Sequence, residues 1–209
     1  MKLTVFGATG QTGQRLVAQA LARGHAVTAV ARRPKAITER HANLTVLPGS
    51  FADPASLDLA LRGAEVVLSA IGAPMSPAAT SIHADSARAI LAAMGRTGVK
   101  RLICITSGGT NPNHDPNLPF AFQYGFKRIF GNIYRDQMEM EKLVMASACD
   151  WTIVRPAQLT NGPATGRCRN AEAFALPHGN DTPRADLADF MLDQAEHPTF
   201  SRKGVALAL

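Results

Sequence analysis

The feature that most constrains this chain lies seven residues in. The apolar run Lys2-Leu3-Thr4-Val5-Phe6 ends in Gly7-Ala8-Thr9-Gly10-Gln11-Thr12-Gly13, and an amphipathic stretch to about Arg23 follows. Glycines at every third position between a strand and a helix have separate physical uses. Gly7 permits a tight turn, Gly10 lets a ligand approach the backbone, and Gly13 allows close helix–strand packing. The free N–H groups at such a helix start favour a pyrophosphate. A glycine pattern alone is a weak signal, but its position inside a strand–turn–helix–strand unit makes it specific.

The following residues repeat this alternation. Strands are expected at 26–31, 44–47, 64–70, 101–106 and 151–154, with a short final strand at 205–209. Helices are expected after Asp53-Pro54, over about 81–95, over 134–147 and over 184–195. Asp53 is a helix cap with Pro54 at the first turn. Nearly continuous β-branched strands separated by helices indicate a parallel sheet covered on both faces. The expected fold is therefore α/β: a single doubly wound Rossmann domain over residues 1–209, with a small C-terminal substrate-side portion. Segments of about 108–135 and 157–183 are its substrate side. The first carries three prolines between Pro112 and Pro119, and the second is read as irregular.

At 46% hydrophobic and 18% charged residues, the chain is composed to fold. Three cysteines with no C-x-x-C pair indicate a reducing, cytoplasmic setting. Cys104 reads as core filling. Six scattered histidines without H-E-x-x-H point to no metal site. No membrane-length apolar run occurs. The net charge of +6 lies in small separate groups without interleaved aromatics, which disfavours nucleic acid and suits anionic small molecules.

The second strand ends Val30-Ala31-Arg32-Arg33-Pro34, with Arg32 placed 19 residues beyond Gly13. Sites for NAD put an acid here for the ribose 2′-hydroxyl, whereas an arginine accepts a 2′-phosphate. NADP(H) is therefore the expected cofactor, with NAD(H) possible. Arg32 comes first and Arg33 second. Thr12 and Arg15 lie at the helix start, also within reach of that phosphate.

These motifs, together with Ser69-Ala70-Ile71-Gly72, Ile105-Thr106-Ser107, the run Asp136 to Lys142, Asp150 to Pro156 and Asp186 to Met191, cover nearly the whole chain. The chain resembles the atypical short-chain dehydrogenase/reductases, which include NmrA-like and biliverdin-IXβ/flavin-reductase members. The resemblance implies that the turn residues Gly7, Thr9, Gly10, Gln11, Thr12 and Gly13 hold a dinucleotide, which Ala70, Ile71 and Gly72 line. It implies Ser50 and Phe51 beside the adenine. It also implies Thr106, Ser107, Pro156, Ala157 and Gln158 beside the nicotinamide. Many relatives carry Asp in place of Ser50, and the flavin-reductase branch carries His in place of Gln158.

Ordinary members pair a Tyr with a Lys four residues on. Here Tyr124 is followed by Arg128 and Tyr134 by Met138, so carbonyl and alcohol chemistry is disfavoured. Flavins, quinones and similar conjugated acceptors suit such a site. Ser107 is the expected hydrogen-bond donor to the acceptor, or else a cap of its loop. Tyr124 is placed as a lid over the pocket, or as ordinary packing. Gln137, Glu139 and Glu141 read as a solvated helix face, and Arg155 as a structural ion-pair partner. Phe120, Phe122, Phe126, Ile129 and Phe130 form an apolar stretch suited to a pocket wall, an oligomer contact or core packing. The leading function is an NADPH-dependent reductase. The alternative is a non-catalytic dinucleotide-sensing regulator with a protein partner. An epimerase ranks third, because little chain remains for its larger substrate domain. The oligomeric state is not read from the sequence.

Overall fold

A computed structural model describes residues 1–209. The strands are β1 (Lys2–Phe6), β2 (Ala26–Ala31), β3 (Leu44–Pro48), β4 (Val66–Ser69), β5 (Arg101–Ile105), β6 (Asp150–Pro156), β7 (Gln158–Thr160), β8 (Arg169–Ala171), β9 (Asp181–Pro183) and β10 (Lys203–Ala208). The helices are α1 (Gln11–Ala22), α2 (Pro54–Leu61), α3 (Ile82–Thr97), the short α4 (Lys127–Ile129), α5 (Gly131–Ala146) and α6 (Arg184–Glu196).

Eight strands form one sheet in the order β3-β2-β1-β4-β5-β6-β10-β8. All neighbours are parallel except β8, which runs antiparallel to β10. The chain thus reverses its winding between β1 and β4, where doubly wound sheets open a crevice at their C-terminal edge. A separate parallel pair, β7 with β9, stands beside that edge.

The strands' period of two divides the core between two faces. Leu3, Val5, Val27, Leu68, Ile103 and Val154 meet Leu16 and Val17 of α1 and Leu187 and Met191 of α6. Phe6, Val30, Val67, Leu102 and Ile153 meet Leu57 and Leu61 of α2, Ile90 and Met94 of α3, and Met140 and Val144 of α5. Each such aliphatic side chain contributes about 1.5–3 kcal/mol by leaving water. Two-sided burial is why these strands read as continuous apolar runs.

Asp53 accepts from the Ala55 N–H at 3.2 Å and starts α2, as its position predicts. Gly98, in the left-handed region at φ +78°, ends α3. Cys104 is fully buried. Three expectations are corrected. The stretch 157–181 is not irregular throughout, because β7, β8 and the start of β9 lie in it. Helix α5 begins at Gly131, three residues before the expected Tyr134. The stretch 120–130 is not core packing, because Phe120 and Ile129 are 74% and 58% exposed.

Candidate dinucleotide and acceptor site

The turn after β1 has the shape its glycines predict. Gly7 sits at φ +75°, and a Cβ there would lie 2.5 Å from the Ala70 carbonyl oxygen at the end of β4. A Cβ on Gly13 would lie 2.1 Å from the Gly7 carbonyl oxygen, so only glycine lets α1 approach this closely. Gly10 differs: a Cβ there would meet nothing nearer than the Gly7 oxygen at 3.3 Å. Internal packing does not demand its bare backbone, which leaves an approach for a ligand. Gly10 caps α1 without a side-chain hydrogen bond. The N–H groups of Gln11, Thr12 and Gly13 find no acceptor within the chain. Gln14 Nε2 donates to the Thr9 carbonyl at 3.2 Å and holds the turn. A pyrophosphate fits this cradle of open donors at the positive end of a helix.

Arg32 and Arg33 follow β2, their side chains exposed and free of any ion pair or hydrogen bond. Ser50 precedes α2, donating its N–H to Ser56 Oγ at 3.2 Å and accepting from the Ala52 N–H at 3.3 Å. Phe51 packs against the α2–α3 face, its ring 6.3 Å from that of Phe6. Ile71 is half-buried against the same face, and Gly72 is exposed. These residues follow the C-terminal ends of β1, β2, β3 and β4, along one edge of the sheet.

The next strand ends carry the residues expected beside the acceptor. Ser107 Oγ donates to Gln137 Oε1 at 3.1 Å and accepts from the Gly109 N–H at 3.2 Å, so it does cap its loop. Gly108 and Gly109 let this loop pass under its neighbours. Added Cβ atoms would lie 2.8 Å from the Phe174 carbonyl and 2.4 Å from the Tyr134 ring. Pro156 is buried, the Ala157 N–H donates to Thr182 Oγ1 at 3.0 Å, and Gln158 is exposed in β7.

Tyr124 lies within the π-helical turn Phe122–Phe126, 56% exposed, its ring 4.4 Å from that of Phe120 at a tilt of 34° and 6.2 Å from the His114 ring. Its contacts are with its own segment. Phe122 of the same turn reaches Gly109 and the Tyr134 ring. Tyr134 is buried, which pushes its phenol up to about 12. Met138 stands where a lysine would depress it.

Two buried carboxylates escape the sequence reading. Glu141 is not on a solvated face: it is 4% exposed and paired with Arg155 at 2.6 Å. Its carboxylate also accepts the Thr106 hydroxyl at 2.6 Å and the Thr110 hydroxyl at 2.8 Å. The pair thus fixes both ends of the Thr106–Thr110 loop, with Ser107 between them. Arg155 continues to the Ala173 carbonyl at 3.2 Å and lies over the Phe174 ring at 3.9 Å, which ties in the second segment expected on the substrate side. The second residue is Asp136. Buried on α5, it accepts the His83 and Ala84 N–H groups at 2.9 Å each and His83 Nδ1 at 2.8 Å, capping α3 from a neighbouring helix. The available signal was an acid within the apolar stripe Ile133, Met140 and Val144, and an arginine inside the apolar strand β6.

A sequence profile for NAD(P)H-binding proteins matches residues 7–198. The chain belongs to this NAD(P)H-binding family. The (4-alkanoyl-5-oxo-2,5-dihydrofuran-3-yl)methyl phosphate reductase of Streptomyces griseus is 34% identical over 154 residues, which are 74% of this chain and 46% of the relative. The chain therefore spans about half of that relative. Among solved structures, the anaerobilin reductase ChuY of Escherichia coli O157:H7 superposes with a TM-score of 0.81 at 26% identity, covering 100% of this chain and 97% of the other. A short-chain dehydrogenase/reductase of Veillonella parvula in complex with NADP gives a TM-score of 0.81 at 24% identity, over 100% and 94% of the two chains. That last likeness supports the fold alone. The atypical short-chain dehydrogenase/reductase resemblance drawn from the motifs agrees with these findings. No helix of this family member is long and apolar enough to cross a membrane.

Proposed function

We propose that this chain is an NADPH-dependent reductase that delivers hydride to a flavin, a quinone or a similar flat conjugated acceptor. One observation carries the reading: no group beside Ser107 is equipped to relay a proton. Its hydroxyl partner is the neutral Gln137, Glu141 is committed to Arg155 and two threonines, and burial keeps the Tyr134 phenol protonated. An acceptor that spreads the incoming charge over a ring system and takes its proton from water suits such a site. NADPH supplies the hydride when bound. The chain's part is to hold the pyrophosphate on the open N–H groups of α1 and the 2′-phosphate on Arg32, with Arg33 in support. Ser107 turns its one O–H from Gln137 to the acceptor, its loop fixed by Glu141 and Arg155. Two matched relatives carry reductase names, which supports the reaction class. A reducing, cytoplasmic setting suits three unpaired thiols.

A second reading, a dinucleotide-sensing regulator, gains support from Phe120, Tyr124 and Ile129, which stand exposed together on one segment. The test that separates them follows NADPH absorbance with FMN, riboflavin and a simple quinone present. Consumption with a preference over NADH supports the reductase. Tight NADPH binding with no acceptor reduced would leave the regulator standing instead.

A further inference from the structure

Five of the arginines are not exposed: Arg15, Arg23, Arg101, Arg155 and Arg184. Three of them face carboxylates: Arg23 on Asp193 at 2.8 Å, Arg101 on Asp150 at 3.3 Å and Arg155 on Glu141 at 2.6 Å. Arg15 and Arg184 have none, and these two lie together. Arg15, on α1, donates Nη1 to the Gln11 carbonyl at 3.0 Å and Nη2 to the Asn161 carbonyl at 3.5 Å. Arg184, the first residue of α6, donates Nη1 to Asn161 Oδ1 at 2.9 Å and to the Leu159 carbonyl at 3.3 Å. All these acceptors are neutral, and the Nε and Nη2 groups of Arg184 have no partner. The acid nearest in sequence, Asp186, is occupied by the Thr165 N–H and hydroxyl and by the Gly166 N–H.

This arrangement is unfavourable as it stands. A cation at the first position of a helix opposes the helix dipole, and two half-buried guanidiniums repel each other. Burial, followed by the Arg15 charge, lowers the pKa of Arg184. A planar fork with unused donors is suited to one partner above others, a multiply charged oxyanion. Arg15 lies one turn from Gln11, so the pair adjoins the open N–H groups of α1.

We propose that Arg15 and Arg184, bridged by Asn161, form a phosphate subsite. It takes either a phosphate of the dinucleotide or a phosphate carried by the acceptor. Only the second source rests on the reductase reading.

The experiment compares wild type with R15Q, R184Q, the double variant and the charge-retaining R184K, after thermal melts establish that each is folded. NADPH and inorganic pyrophosphate are titrated calorimetrically, and FMN is compared with riboflavin, which lacks the phosphate. Loss of charge-assisted hydrogen bonds to a phosphate weakens binding about tenfold to a hundredfold. If the dinucleotide is the source, the double variant loses pyrophosphate binding and weakens NADPH by that factor, and R184K recovers part of it. If the acceptor is the source, NADPH is unchanged while FMN weakens and riboflavin does not. Should the protein turn over no acceptor, FMN and riboflavin binding in the presence of NADP⁺ reads the same contrast, so failure of the reductase reading stays separate. Unchanged NADPH, pyrophosphate and FMN binding overturns the subsite. Equal weakening of FMN and riboflavin with NADPH unchanged overturns it too, because the loop and not a phosphate contact is then responsible.

Discussion

Replacing Glu141 with alanine tests whether the buried pair organises the acceptor side. Arg155 would remain 7% exposed with only the Ala173 carbonyl and the Phe174 ring as partners. Thr106 would lose the sole acceptor of its hydroxyl, while Thr110 keeps the Ser107 carbonyl at 2.8 Å. Breaking one side of a buried pair costs about 3–5 kcal/mol, and a stranded hydroxyl places this case in the upper half of that range. Natural domains have only about 5–15 kcal/mol of stability, so the variant is expected to fold marginally. The melting temperature of a chain this size should fall by roughly 8–20 °C. The cycle is completed with R155M and with the E141L/R155M double, in which no charge is left buried alone. The double should be more stable than the sum of the singles by at least about 2 kcal/mol. Urea unfolding at matched m-values is the assay. A loss below about 1 kcal/mol in E141A, or strict additivity in the double, would refute the reasoning. The milder E141Q keeps the shape if E141A does not fold.

Three further outcomes are expected. R32A should weaken NADPH about tenfold and leave NADH unchanged, as read by nicotinamide fluorescence, since an exposed arginine still makes charge-assisted bonds to a 2′-phosphate. G13A should lower both stability and NADPH affinity, because its Cβ would meet the Gly7 oxygen at 2.1 Å and displace the turn; a melt and a titration together check it. Burial raises the Tyr134 pKa from 10.0 to about 12, so folding favours the protonated phenol. That contribution is intact below about pH 10 and is lost as pH rises toward 12, and Y134F should abolish this part of the alkaline stability loss.

The geometry of the glycine turn was legible because its determinants are local. Strand, glycine turn, helix and Arg32 follow one another within 32 residues, and the turn's sterics operate between neighbours such as Gly7 and Gly13. The side proposed for the acceptor depends on distant partners. Glu141 finds Arg155, Thr106 and Thr110 only once β5, β6 and α5 have assembled, so an acid among polar neighbours resembled a wet face. Asp136 caps a helix 52 residues earlier in the chain. Strands β7, β8 and β9 have three residues each and little apolar pattern; pairing with β9, β10 and β7 makes them strands. The aromatic stretch 120–130 shows a different failure: hydrophobic composition alone does not say whether a segment is covered.

The place of β10 sets an order of assembly. It is the last strand in sequence yet lies inside the sheet, between β6 and β8. During synthesis from the N-terminus, β1 to β4 can pair while the rest is still emerging. Strand β8 has no neighbour in the large sheet until residues 203–208 arrive, and the Ala157 N–H waits for the Leu207 carbonyl, 3.1 Å away in the finished fold. The cradle proposed for the nucleotide can thus close early, whereas the ground beneath the proposed acceptor side is laid by β10, and a nascent chain stalled before it would hold the first without a finished form of the second.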